Sequence, residues 1–300
     1  MFHQLQNSVK IRFRLVPDGP ILVRAQEVGI EPTVASIEFH RTYREGEKTV
    51  FLAGSGLKGV LRAHVERILR SAGKTACDPT RVKESQSCGH HTRKLSEVPD
   101  EEGPHAGQCG ACFTFGSLKL AGRFRIPDAY PTEEEFEATN QTEVRAGVGI
   151  DRKSQGPASG VLYDTEVVVQ GAFDGAIIGE NFSLWQLGMV LQALNDLNSG
   201  MVQIGGCKSR GMGTVKIKDP ELIFSSFLSS GGQLAGARQA GQWHYGLPEN
   251  DTLPIPAGEG VTEETQGLFH RVRFSGAAVD RLHRSLVEKP LLTYLQQGGG

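Results

Sequence analysis

The fold of this chain is decided by the stretch LAGSGLKGVLR at residues 52–62. Apolar residues recur from this stretch onward at helical spacing, which predicts an amphipathic helix that starts at a Gly-Ser-Gly turn. The apolar stripe consists of Leu57, Val60, Leu61, Val65, Ile68 and Leu69. Ser55 is the predicted N-cap. Lys58, Arg62 and Arg70 form a basic row off the stripe, and a helix start with nearby positive charge favours a phosphate.

Alternating and helical patterns on both sides of this helix predict the other elements. Apolar residues alternate with basic ones over residues 8–15, which predicts a strand, and leucines at helical spacing predict a second helix at 184–198. A glycine-rich loop and a strand follow over 204–217, and shorter strands are predicted at 123–129 and near 166–178, whereas 131–143 has no regular pattern. The order strand, helix, strands, helix, strand predicts an α+β fold with a ferredoxin-like core.

Length and composition favour one elaborated domain of a water-soluble protein. The 300 residues are 38% hydrophobic and 22% charged, and the first 15 residues have no apolar core of the signal-peptide kind. We therefore predict a cytoplasmic protein with no membrane partner. The predicted domain covers residues 1–228, with an insertion at 72–116, and residues 229–300 are predicted to form a C-terminal extension. The net charge of -2 argues against nucleic-acid binding by the whole surface.

Four of the five cysteines lie close together in the polar stretch 72–112. Cys109 and Cys112 form a C-x2-C knuckle, and Cys77 and Cys88 complete a set of four thiols, which predicts a structural Zn2+ site. Three histidines leave an alternative open, because one of them could replace Cys77 or Cys88 as a ligand. They are His90, His91 and His105. Reduced free cysteines in a cytosolic protein are the other interpretation, and Cys207 is predicted to be unmetallated.

A second motif, GGCKSRGMG at residues 205–213, places two cations among four glycines. Glycine allows a phosphate to approach the backbone N–H groups closely, and Lys208 and Arg210 add positive charge. The spacing is that of neither a P-loop nor a dinucleotide-binding loop. A tight turn between a helix and a strand explains the glycines nearly as well.

Taken together, four motifs resemble the RAMP superfamily of CRISPR-associated proteins, and most of all the repeated backbone subunits of type III effector complexes. The motifs are LAGSGLKGVLR at 52–62, CGACFTFGS at 109–117, GIDR at 149–152 and GGCKSRGMG at 205–213. The resemblance covers about residues 8–218. It implies a ferredoxin-like, RRM-related core, a guide-binding groove and a projecting thumb β-hairpin at 147–165 that wedges into the guide–target duplex.

The resemblance also implies a set of RNA-binding residues and partners. The partners are a guide RNA, a target RNA and neighbouring RAMP-type subunits of the same complex. The residues that match the family's phosphate-gripping helix, thumb and glycine-rich loop are Ser55, Lys58, Arg62, Arg152, Lys208, Ser209 and Arg210.

Cleaving members of the family carry an Asp in the loop after the first strand, which supports metal-dependent attack by a 2'-hydroxyl. Ser36 occupies the matching position here, and no Asp lies between Asp18 and Asp78. We therefore predict a non-cleaving guide-RNA-binding subunit. Glu31 and Glu38 lie in or beside the same loop, so the alternative is a target-RNA endoribonuclease, and Mg2+ is predicted only in that case.

Two further interpretations stay open. His40, Arg41 and His64 could support metal-independent processing of the guide RNA, although the position of His64 beside the apolar stripe favours a packed histidine. A zinc-stabilised protein-interaction module outside CRISPR biology is the other candidate.

Overall fold

The computed structural model describes residues 5–25, 37–81, 87–91, 108–118, 120–227, 231–237 and 251–297. Its strands are β1 Asn7–Pro17, β2 Arg41–Arg44, β3 Glu47–Val50, β4 Phe124–Arg125, β5 Tyr130–Pro131, β6 Glu143–Ile150, β7 Pro157–Val167, β8 Phe173–Glu180, β9 Val215–Phe227, β10 Gln233–Ala235, β11 Thr252–Pro254, β12 Val261–Gln266 and β13 Phe269–Ser275. Its α-helices are α1 Gly54–Ser71, α2 Cys88–His91, α3 Gly110–Phe115, α4 Phe136–Asn140, α5 Leu184–Asn198, α6 Ala277–Leu286 and α7 Leu292–Gln296.

One antiparallel sheet in the order β12-β13-β9-β1-β8-β4 organises the chain, and β5 pairs with β8 beside β4. β1 lies between β8 and β9, and its alternating pattern decides which side is covered. Val9, Ile11, Phe13 and Leu15 are buried, whereas Arg12 is exposed on the opposite face. Period-two alternation is the expected pattern for a strand with one face in the core. The predicted α+β class is confirmed, and the structure shows that the strands pair antiparallel.

The two long helices supply most of the apolar cover for this sheet. The predicted helix at 184–198 is confirmed as α5, in which Leu187, Leu191 and Leu194 are buried. The side-chain oxygen of Gln186 accepts the backbone N–H of Ser183 at 2.9 Å, which satisfies one of the free donors at the helix start. The apolar stripe of α1 contributes Leu57, Leu61, Val65 and Leu69 to the same core.

The strand after the glycine-rich loop is longer than predicted. The sequence predicted an end at Ile217, but β9 continues to Phe227. Its pairing with β1 shifts register between Arg12 and Arg14, at the point where Asp219 has a φ of 49° and is followed by Pro220. A β-bulge leaves one residue without ladder bonds, and this is where a strand tolerates proline.

Residues predicted as a C-terminal extension continue the central sheet. β13 pairs with β9 along seven residues and β12 pairs with β13. α6 follows and buries Val279, Leu282 and Leu286. The domain boundary at residue 228 stays a prediction.

Two shorter segments differ from the predicted pattern. The stretch 131–143 was predicted to be irregular but contains α4, where Thr139 packs against the backbone of Ala172. The strand predicted at 123–129 is confined to β4, and Ala129 separately forms a bridge with Leu52. Among the described helices, none is long and apolar enough to cross a membrane.

Candidate metal centre and nucleic-acid interface

Four cysteine side chains meet at the base of the insertion. Cys77, Cys88, Cys109 and Cys112 place their sulfur atoms within 4.8 Å of one another. The Sγ atoms of Cys77 and Cys112 are 3.3 Å apart, and those of Cys77 and Cys109 are 3.8 Å apart. Cys77 is half-buried and the other three are buried. The predicted ligand set is therefore brought together.

The spacing fits a tetrahedral metal ion. Zinc–sulfur bonds of about 2.3 Å in tetrahedral geometry place neighbouring sulfurs roughly 3.8 Å apart, close to the observed distances. Four thiolates and a closed, buried environment are typical of a structural rather than a catalytic site. The side chains of His90 and His91, and all of His105, lie outside the described residues, so the histidine alternative stays open. Cys207 is not part of this cluster.

Hydrogen bonds among the thiols make them inequivalent. The thiolate of Cys109 accepts hydrogen bonds from Cys112 and Cys88, which lowers the pKa of Cys109. The same contacts raise the pKa of Cys112, and the hydrogen bond with Cys109 raises the pKa of Cys88 to about 12. Thiols in such close contact cannot all lose their protons easily, because the negative charges would repel one another. A bound cation would remove this repulsion, because it deprotonates its thiol ligands.

The knuckle is formed by the start of α3 and is held by α1. Arg62 projects from α1, and its Nη2 lies 3.0 Å from the sulfur of Cys112. Its Nη1 donates to the carbonyl of Gly116 at 2.6 Å, and its Nε donates to Glu66 at 2.9 Å. Only 14% of the Arg62 side chain is exposed. The predicted RNA contact of Arg62 stays a prediction, and the structure places this guanidinium against the cysteine cluster.

Aromatic side chains from α5 and α7 lie on the other side of the knuckle. Tyr294 of α7 stacks on Trp185 with ring centroids 3.7 Å apart, and Lys74 lies over the same tyrosine ring. The Tyr294 hydroxyl occupies the space that a Cβ on Gly110 would need. Burial, with the nearby charge of Cys109, raises the pKa of Tyr294 to about 12. Residues far apart in the sequence therefore pack against the start of α3.

The start of α1 differs from the prediction. Ala53, and not Ser55, is the N-cap, because the carboxylate of Asp128 accepts the Gly54 N–H at 2.7 Å and replaces a local serine cap. Ser55 is exposed in the first turn. Gly56 and Gly59 are open, since an added Cβ at either would meet no described atom within 4 Å. Burial, with the charge of Arg62, lowers the pKa of the half-buried Lys58.

The glycine-rich loop presents a short 3-10 turn, Lys208–Arg210, to solvent. Gly205 and Gly213 have φ values of 69° and 91°, and a Cβ on either would overlap a backbone carbonyl, of Leu22 and Ile204 respectively. The loop backbone bonds to the chain after β1, with the Gly206 N–H donating to Leu22. The two glycines therefore allow the loop to lie against the backbone of its neighbours. The side chains of Lys208, Ser209 and Arg210 are exposed to solvent.

A two-stranded hairpin stands beside this loop. β6 and β7 pair antiparallel and bracket the predicted thumb at 147–165. Arg210 donates to the Tyr163 hydroxyl at 2.5 Å, and its guanidinium lies over the tyrosine ring. At the hairpin tip, Asp151 accepts the backbone N–H groups of Lys153 and Ser154, which orders the turn that carries the exposed Arg152. The loop and the hairpin are thus joined by one side-chain contact.

Residues 37–40, which precede β2, meet the base of the same hairpin. Ile37 forms a parallel bridge with Thr165, and the carboxylate of Glu166 accepts the Phe39 N–H at 2.8 Å and bonds to Arg41. Glu38 is half-buried. Glu31 and Ser36, two of the three candidate catalytic residues, lie outside the described residues.

The side chains considered for guide processing have other partners. The Arg41 guanidinium bonds to both carboxylate oxygens of Glu166. His64 is buried and lies 2.6 Å from the carboxylate of Asp196, which fits the packed histidine that its position favoured. His40 packs against the ring of Phe51 with centroids 4.4 Å apart.

Sequence reasoning missed Tyr163 and Glu166. A tyrosine and a glutamate within an alternating strand carry no signal of their own. The partners Arg210 and Arg41 are 47 and 125 residues away, so only the folded chain reveals either pair.

These observations define an α+β protein with a cluster of four cysteines that could hold a metal ion and a basic glycine-rich loop beside a β-hairpin. The family model of the RAMP superfamily matches residues 19–216, which is about two thirds of the chain. The chain therefore belongs to the RAMP superfamily of CRISPR-associated proteins. RAMP proteins work in CRISPR RNA–protein complexes, and membership implies an RNA-binding role. A search of curated proteins found no match.

Proposed function

We propose that this chain is a guide-RNA-binding backbone subunit of a type III CRISPR complex that positions guide and target RNA beside neighbouring RAMP-type subunits. The observation that carries the proposal is the exposed Lys208–Arg210 turn, which is seated on glycines and joined to the hairpin through Arg210 and Tyr163. Basic side chains on a fixed backbone suit a phosphate chain, because phosphate contacts supply much of the affinity for RNA and set its position.

The sheet order supports a ferredoxin-like core. Six elements follow one another along the chain as strand, helix, two strands, helix and strand, with other elements inserted. They are β1, α1, β4, β8, α5 and β9. In the sheet they lie in the order β9-β1-β8-β4 with antiparallel neighbours. A split βαβ arrangement places the fourth strand beside the first and the third between the first and the second. This core would be the platform on which the guide RNA lies.

The open face of α1 supports a second phosphate contact. Gly56 and Gly59 leave room for an RNA backbone to approach, and Lys58 lies between them on the chain. Ser55 adds an exposed hydroxyl in the first helical turn. The positive end of the helix dipole favours an anion there. We extend the proposal to Ser55, Lys58, Lys208, Ser209, Arg210 and Arg152 as contacts to the guide or the target.

Zinc is the proposed metal. Four thiols at near-tetrahedral spacing are the donor set that structural Zn2+ takes, and its proposed role is to stabilise the fold around the cysteines, because metal binding couples to folding.

The subunit is proposed to be non-cleaving, because Ser36 stands where cleaving relatives of this family carry a carboxylate. A neutral hydroxyl cannot hold a divalent ion as a carboxylate does. The alternative of an Mg2+-dependent endoribonuclease rests on Glu31 and Glu38. Cleavage of guide-complementary RNA by the assembled complex decides between them, with Ser36→Asp compared against Glu31→Ala and Glu38→Ala. Cleavage by the unaltered subunit that either alanine abolishes would refute the non-cleaving assignment.

RNA capture tests the binding proposal. The chain is purified with its neighbouring subunits, and the bound RNA is sequenced and quantified for the double variant Lys58→Ala/Arg210→Ala. We expect about a tenfold or greater loss of affinity, equivalent to about 1.4 kcal/mol. The matched control, Arg284→Ala/Lys289→Ala, removes the same charge from the exposed surface of the C-terminal helices and should retain RNA. Absence of small RNA of uniform length from the unaltered complex would refute the proposal.

A further inference from the structure

Arg62 makes its contacts at the cysteine cluster and not at the solvent-exposed side of α1. Its guanidinium uses three nitrogens on three different groups: the sulfur of Cys112, the carbonyl of Gly116 and the carboxylate of Glu66. A guanidinium is a planar fork of five N–H donors, so this environment satisfies most of its capacity. A solvated helix cation would not be ordered in this way.

The geometry links Arg62 to the middle and the C-terminal end of one short helix. Cys112 lies inside α3, and Gly116 is the residue that follows its last turn. Arg62 therefore bonds to a candidate metal ligand and to a free carbonyl at the helix end, where backbone oxygens lack intrahelical partners. Because Arg62 belongs to α1, these bonds connect the cysteine knuckle to the helix that carries Lys58.

The negative charge of the thiolates explains why a cation should lie beside them. Four thiolates around a divalent cation leave a net charge of about -2, and such a charge is costly to bury without compensation. Arg62 donates a hydrogen bond to the sulfur of Cys112, which belongs to the cluster. Glu66 is 7% exposed and orients the guanidinium through its Nε. Glu66 also contacts Arg70 at 3.4 Å, so two guanidinium groups offset the negative charge of its carboxylate.

We propose that Arg62 is a positioning residue of the metal centre: it donates to the Cys112 sulfur, offsets the negative charge of the thiolates and locks the knuckle to α1. Outer groups that bond to metal ligands commonly contribute ten- to a hundredfold to metal affinity. This proposal rests on the proposed metal site and not on the RNA-binding role, and it replaces a phosphate contact as the function of Arg62.

The test compares zinc affinities of full-length variants by competition with a chelator of known affinity. Arg62→Met, which keeps most of the side-chain volume, should bind zinc about ten- to a hundredfold more weakly. Arg62→Lys should lie between, since lysine keeps the charge but loses the fork. Arg67→Met is the matched control, because Arg67 is an exposed arginine of the same helix, and it should bind zinc within about twofold of the unaltered chain.

A spectroscopic readout separates positioning from general destabilisation. In the cobalt(II)-loaded protein, the thiolate-to-metal charge-transfer band should shift in Arg62→Met and Arg62→Lys, because a sulfur loses its N–H donor. It should not shift in Arg67→Met. Far-ultraviolet circular dichroism in saturating zinc shows whether each variant is folded. If Arg62→Met does not fold, Arg62→Lys decides: weaker zinc binding supports the proposal, and unchanged binding overturns it.

Three outcomes would overturn the proposal. The first is unchanged zinc affinity and an unchanged cobalt spectrum in folded Arg62→Met. The second is loss of RNA affinity in Arg62→Met at saturating zinc with zinc affinity intact, which would make Arg62 a phosphate contact. The third is absence of zinc binding by the unaltered chain. Failure of Lys58→Ala/Arg210→Ala to lose RNA leaves these zinc measurements untouched, so the two proposals fail independently.

Discussion

Arg41 and Glu166 join two parts of the chain that are 125 residues apart, and both nitrogens at the end of the guanidinium bond to the carboxylate. Glu166 also accepts the Phe39 N–H and the Thr142 hydroxyl, at 2.8 and 2.6 Å. The pair thus ties the segment before β2 to both strands at the base of the β6–β7 hairpin. This partly buried pair holds the base of the hairpin against the chain that precedes β2.

The first prediction concerns the pH dependence that Glu166 confers on stability. Burial alone would raise the pKa of Glu166, but hydrogen bonds from Arg41, Thr142 and Phe39 outweigh it and lower the pKa to about 2. A lowered pKa in the folded state means that the stabilisation is complete above the unfolded value of 4.5 and is lost as the pH falls toward 2. It corresponds to an upper bound of roughly 3 kcal/mol.

Urea unfolding of the unaltered chain and of Glu166→Gln between pH 6 and pH 3 measures this effect. The difference in unfolding free energy should be largest at pH 6 and should shrink below about pH 4.5. Glu134→Gln is the control, since Glu134 pairs with Arg14 on the surface and is 71% exposed; exposed pairs contribute little. A difference that stays constant with pH would contradict the assignment.

The second prediction concerns Gly147, which lies opposite Tyr163 in the hairpin. A Cβ at residue 147 would overlap the Tyr163 ring, so Gly147→Ala should displace that ring from Arg210. We expect faster amide hydrogen exchange in the hairpin and weaker RNA binding by the assembled complex. Gly156→Ala in the same hairpin is the control, because its nearest contact is 3.8 Å away. Equal behaviour of the two variants would show that Tyr163 does not position Arg210.

The third prediction concerns the glycine-rich loop. Gly213 combines a φ of 91° with a close approach to the Ile204 carbonyl, and an L side chain is strained in both respects. Gly213→Ala should destabilise the chain by more than about 1 kcal/mol and lower RNA affinity. Gly206→Ala should be tolerated, because its Cβ would meet the flexible Leu22 side chain at 3.4 Å. Urea unfolding and RNA titration measure the two effects, and a neutral Gly213→Ala would contradict the prediction.

The fourth prediction separates the clustered cysteines from the fifth. Cys109→Ser should abolish stoichiometric zinc binding and lower the unfolding temperature, because a closed four-ligand site loses one donor. Cys207→Ser should retain one zinc per chain, since Cys207 lies in the glycine-rich loop outside the cluster. Metal content by mass spectrometry and thermal unfolding with and without chelator provide the readouts. Retention of zinc by Cys109→Ser would implicate a different ligand set.

Local patterns determined much of this protein without the structure. Alternation predicted the burial of β1, helical spacing predicted α1 and α5, and cysteine spacing predicted the four thiols that lie together in space. Such patterns suffice because side-chain direction within a strand or helix follows from the chain's own geometry. The glycine motif predicted a basic loop, because positive φ is a property of single residues.

Tertiary structure alone decided which distant groups meet. It replaced the Ser55 cap with Asp128, carried β9 past Pro220 through a bulge, and paired β13 with β9. It also brought Arg62 to Cys112, although the basic row on α1 suggested three equivalent surface cations. The physical reason is that a hydrogen bond or an ion pair depends on the positions of both partners, and periodicity describes only one of them.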